Sequence, residues 1–155
     1  MSTTIAVGNY LTLQGSGNTF RYQNFHINET ATYGGQTYSF LPFGFSGVSI
    51  NRSGDNTDAS LVFPNNALAR SWGISALENR WLATVYVLAL NPDNTSAGTL
   101  MHTYVGAVAE GSWDETTLNL TLNTVLDAVG SDVPMRRITQ LLVGALPTSS
   151  SVRLQ

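Results

Sequence analysis

The sequence predicts a mainly β protein, one domain built as a β-barrel or sandwich with a single short helix. Three observations carry this reading. The polar residues are mostly Asn, Thr and Ser, which favour strands, turns and caps over helix interiors. Segments 5–13, 20–27, 37–41, 45–50 and 59–63 alternate apolar and polar residues with the period of a half-buried strand. Gly- and Asn-rich turns separate them. The chain has 155 residues, 43% hydrophobic and 11% charged, enough for one compact core.

Taken in order, the first strand ends at Gly15-Ser16-Gly17-Asn18. Gly34-Gly35 then joins 31–33 to 36–38 as a two-residue hairpin loop, because both glycines reach positive φ without steric penalty. The loop Arg52-Ser53-Gly54-Asp55-Asn56 returns the chain into a strand ending at Phe63-Pro64. Asn65 or Asn66 can cap a helix over 67–72, with Leu68 and Trp72 on one face and Gly73 weakening or ending it.

In the second half, segment 82–90 is apolar on both faces, the mark of a strand covered on both sides. A loop over 91–98 leads to a strand over 100–110. After Gly111 a further alternating strand over 113–122 completes an antiparallel meander. A turn of helix is expected over 123–129 and an extended piece over 133–138. Residues 1–143 are thus read as the domain, and residues 144–155, with Pro147 and a serine run, as a tail that folds only against another element. The total is about eight to ten short strands.

Charge and composition exclude several functions. Seven cations, all arginine, against ten anions give a net charge of −3, which disfavours a duplex binder that must neutralise many phosphates. The absence of cysteine excludes a disulfide framework, a thiol nucleophile and thiolate-held zinc or iron–sulfur centres. The first eight residues have neither the cationic nor the apolar region of a secretory signal, and the longest apolar run, 81–90, falls far short of the ~20 residues of a membrane helix. These features lead us to expect a soluble protein of the cytoplasm or of a particle assembled there, without a membrane span.

No catalytic, cofactor-binding or metal site is expected. His26 and His102 stand far apart and fit no zinc-ligand spacing. Asp55, Asp58 and Asp93 lie in Asn/Thr-rich turns that do not continue as calcium loops. Asp114-Glu115 reads as a charged strand end, and Gly15-Ser16-Gly17 lacks the following helix and lysine of a phosphate loop. Two features are candidates for interfaces. Leu41-Pro42-Phe43-Gly44-Phe45 groups three large apolar side chains that either join the core or form a docking patch. Arg136-Arg137 sets two cations in an apolar segment, suited to a carboxylate on a neighbouring chain or to a solvated edge.

The order of these pieces resembles a known family. Tyr33-Gly34-Gly35-Gln36-Thr37-Tyr38, then Leu41-Pro42-Phe43, then Ala59-Ser60-Leu61-Val62-Phe63-Pro64-Asn65 before a short helix, is similar to the amino-terminal domain of the minor tail protein L family of long-tailed phages. The segments 81–90, 113–122 and Val133-Pro134-Met135-Arg136-Arg137-Ile138 fit as well, so the resemblance runs over 20–138. It departs in one respect: the family continues into a cysteine-rich iron–sulfur segment, and this chain has no cysteine. What the resemblance implies is a hub domain without cofactor, a ring component at the distal end of a phage tail tube, assembled in the bacterial host cytoplasm.

The implied partners are further copies of itself in a trimer, a distal tail or tube protein, a central tip protein and the tape-measure protein. Phe43 and Phe45, Arg136 and Arg137, and Leu146 and Pro147 of the tail are the expected interface residues. A distal tail or adaptor protein of the same machine is the near alternative. A carbohydrate-binding β-sandwich using Trp72, Trp81 and Trp113 is an alternative of a different class.

Overall fold

The computed structural model describes residues 5–46 and 59–124. Along the chain run β1 (Val7–Gln14), β2 (Thr19–Gln23), β3 (Thr30–Tyr33), β4 (Gln36–Phe40), β5 (Gly44–Ser46), β6 (Ala59–Pro64), α1 (Ala67–Glu78), β7 (Leu82–Leu90), β8 (Ala97–Trp113) and β9 (Thr117–Thr124). The strands join one sheet in the order β3-β4-β2-β1-β7-β8-β9-β6-β5. The expected class, mainly β with one helix, is what these residues form. Among the described residues the ladder is not closed, because β3 and β5 remain as its two edges. It is a curled, sandwich-like sheet rather than a closed barrel.

The curl follows from one short connection. Leu41, Pro42 and Phe43 alone join β4, next to one edge, to β5, the other edge. A flat sheet would separate these strands by seven spacings of ~4.8 Å, some 34 Å, whereas four Cα steps span at most ~14 Å. The sheet therefore bends until its two arms approach each other. Phe43, just past β4, packs its ring 5.9 Å from that of Phe63 in β6.

The inner face holds the larger core: Leu11 and Leu13 of β1, Leu61 and Phe63 of β6, Val85 of β7, and Leu118, Leu120 and Leu122 of β9, closed over by α1. Trp72 is its centre, edge-on to Phe63 at 5.1 Å and beside Tyr22 at 6.0 Å. A smaller cluster lies on the other face, where Tyr10, Tyr38 and Leu88 are buried with Tyr33 and Tyr86 against them. β7 contributes Ala83 and Val85 to the first cluster and Leu88 to the second, so the strand read as covered on both sides is so covered. The β3–β4 hairpin also forms as read, with Gly34 at φ 57° and Gly35 at φ 76°.

Several local expectations are corrected. Asn66 is the helix cap, its side chain accepting from the Ala69 amide at 2.8 Å. The helix runs past Gly73 to Glu78. Gly73 is buried in the stripe Ala69, Trp72, Gly73 and Ala76, and a Cβ there would lie 2.9 Å from Leu118 Cδ2. It is a close-packing position, not a stop. Leu68 does not share the buried face of Trp72 and is exposed.

β2 ends at Gln23, where the fully buried Gln23 side chain accepts from the amides of Phe25 and His26 and donates to the carbonyls of His26 and Glu29, holding the following loop. Gly111 lies within β8, and Trp113 ends that strand instead of opening β9. Asn123 and Thr124 belong to β9, not to a helical turn. The expected loop over 52–56, the remainder of 45–50 and of 123–129, the extended piece over 133–138 and the boundary at 143/144 lie outside the described residues.

Candidate functional site

A cleft of about 450 Å³ opens where α1 meets the β8–β9 turn, lined by Asn65, Arg70, Gly73, Ile74, Trp113, Asp114, Glu115 and Leu118. It lies within the size range of ligand and side-chain receptor pockets. Leu118 and Gly73 are buried beneath it, while Trp113 is 62% exposed and Ile74 56% exposed beside it. A large indole and a branched aliphatic left to water next to a concavity mark a surface suited to docking.

Asn65 builds the cleft. Its backbone amide donates to the Thr116 carbonyl at 2.8 Å, its Nδ2 donates to the Asp114 carbonyl, and its Oδ1 accepts from Arg70 Nε at 2.6 Å. One side chain thus fastens the end of β6 to the β8–β9 turn and sets the guanidinium of the first helical turn. Asn65 and Asn66 divide two tasks, the first tying the turn and the second capping α1.

The turn is braced by Asp114. Its Oδ1 accepts from the amides of Thr116 and Thr117, both at 2.7 Å, and the two threonine hydroxyls add further bonds. These donors, the Thr116 amide foremost, hold the Asp114 carboxyl down at about 2. Asp114 and Glu115 therefore bring two carboxylates to the cleft against one guanidinium, Arg70. Its chemistry is that of a receptor for an apolar group bearing positive charge: an indole face, an aliphatic wall and an excess of anions.

The expected interface residues divide. Phe43 is 6% exposed and joins the core, the first of the two readings open to it. Phe45 on β5 is half-buried, its ring 5.5 Å from that of Tyr104. Arg136, Arg137, Leu146 and Pro147 lie outside the described residues. Of the three tryptophans proposed for sugar stacking, Trp72 and Trp81 are buried and Trp113 alone is exposed. Among the described residues no three His, Asp or Glu side chains gather as metal ligands. The sequence gives no hint of the cleft itself, because it joins residues 65–74 to residues 113–118 through tertiary packing.

No protein-family profile matches this chain, and no curated protein matches it in sequence. Among solved structures it is similar to one chain of a structure described as the virion of a native gene transfer agent particle. The two are 16% identical with a TM-score of 0.54, over 88% of this chain and 44% of that one. This chain therefore spans less than half the length of that neighbour. The likeness is one of fold.

Proposed function

We propose that this chain is a structural protein of a phage tail tip, a hub subunit that forms a trimeric ring at the distal end of the tail tube and joins it to the tip proteins. The observation that carries the reading is the fold likeness to a virion chain over 88% of this sequence. The motif order, which resembles that of the minor tail protein L domain, supports the finer position. A curled sheet with two cores and one capping helix suits a rigid ring component.

In this reading the partners are copies of the chain, a distal tail or tube protein, the central tip protein and the tape-measure protein, and assembly takes place in the host cytoplasm. The work is done by surfaces, not by turnover. Quantitative mass spectrometry of purified tailed particles tests it. A trimeric copy number is expected, a hexameric one would assign the chain to the distal tail or adaptor ring instead, and absence from the particles would overturn the proposal.

A further inference from the structure

We propose that the cleft beside Trp113 receives residues 133–138 of a second copy of this chain, with Arg136 or Arg137 lying on the indole and meeting the carboxylates of Asp114 and Glu115. The proposal rests on the reading of the chain as a ring-forming subunit and names the contact that closes the ring.

Chemical complementarity is the first argument. The cleft offers an exposed indole, an exposed isoleucine, a buried apolar floor and two carboxylates against one guanidinium. Val133-Pro134-Met135-Arg136-Arg137-Ile138 offers the converse, paired guanidinium groups flanked by apolar side chains. A guanidinium stacks on an indole face and forks onto a carboxylate, and an apolar neighbour can fill the space between Ile74 and Leu118. The chain has seven cations in all, so this pair is its densest positive site.

Chain direction is the second argument, and it suits a neighbouring copy. β9 leaves the cleft at Thr117 and runs away from it to Thr124, which pairs with Gly106 on β8. Gly106 and Trp113 are seven residues apart on β8, about 23 Å at the usual strand rise. The chain thus departs from the far end of its own hairpin, pointing away from its own cleft. Arg136 lies twelve residues beyond Thr124, a reach of at most ~43 Å, so a neighbour's cleft is within range without a reversal. A contact between two different patches is head-to-tail and closes into a ring when the rotation permits.

The full chain tests this directly, because Trp72 and Trp81 are buried and acrylamide quenching of its fluorescence reports Trp113. Quenching and light scattering are measured together over a range of protein concentrations. The expected result is that quenching falls severalfold as the oligomer forms. Arg136→Glu with Arg137→Glu should leave a folded monomer with Trp113 open to quencher, and adding Glu115→Arg to that variant should restore association. Should the double reversal fail to fold, Glu115→Arg alone must weaken the oligomer.

An oligomer whose Trp113 stays open would overturn the proposal while leaving the ring reading standing. Shielding that does not vary with concentration would assign the cleft to the chain's own segment and overturn it too. A monomer at every concentration would overturn both the contact and the ring.

Discussion

Asn24 Nδ2 donates to the carbonyl of Phe43 at 3.0 Å, so the residue that leaves β2 fixes the residue that enters β5. Asn24 Oδ1 also accepts the Asn9 amide of β1 at 2.8 Å. A single amide side chain thereby ties the connection between β4 and β5 to β1. Asn24→Ala removes both bonds and leaves the Asn9 amide and Phe43 carbonyl unpaired at a half-buried site. We expect a loss of about 1–3 kcal/mol in chemical denaturation. An unchanged midpoint would show that the connection holds its course without Asn24.

Gly73 tests the packing of α1 on β9. Valine is a somewhat better helix former than glycine, so an exposed site would gain from Gly73→Val. Here the added Cβ meets Leu118 Cδ2 at 2.9 Å and its methyls have less room still. The expected outcome is a destabilisation of about 1–3 kcal/mol from overpacking, read by thermal or denaturant unfolding. A stabilised variant would mean that α1 lies farther from the sheet.

Trp72 bears on the core itself. It is 2% exposed and touches rings from both arms of the curled sheet, Tyr22 on one and Phe63 on the other. Trp72→Ala should cost about 3–5 kcal/mol, enough to unfold a marginal domain. Retention of the native near-ultraviolet circular dichroism with little loss of stability would contradict this placement.

Asp114 gives a pH signature. Its folded pKa of about 2 lies below the ordinary 3.8, so its bonds to the Thr116 and Thr117 amides stabilise the turn above the ordinary value and lose their effect as pH falls from there through 2. Asp114→Ala should therefore have a lower Tm than the parent protein at pH 6. The difference should close between pH 4 and pH 2. A gap that stays constant across that range would show that the carboxylate charge plays no part.

The strands were legible because alternation reports a half-buried sheet directly, as in Ala59–Pro64, and because Gly34-Gly35 demands one particular turn. The helix start was legible from Asn65-Asn66, although the division of labour between them was not, since it depends on a turn 49 residues away. The helix end and the far end of β8 were missed for one reason. Gly73 and Gly111 are glycines needed for close approach, to Leu118 and to Leu77, and local sequence cannot distinguish that need from a stop signal. The strand order was hidden as well: β4 pairs in parallel with β2 because the β3–β4 hairpin folds back to set β4 between β3 and β2, which no pattern in either strand announces. The cleft escaped for the same cause, as its walls meet only once the sheet has folded.

Immuno-electron microscopy of tailed particles, with a tag inserted after Gly34 at the tip of the β3–β4 hairpin, addresses the central claim most directly. Label confined to the distal end of the tail is the predicted result. Label on the head or along the tube, or none on intact particles that contain the tagged chain and expose it when dissociated, would contradict it.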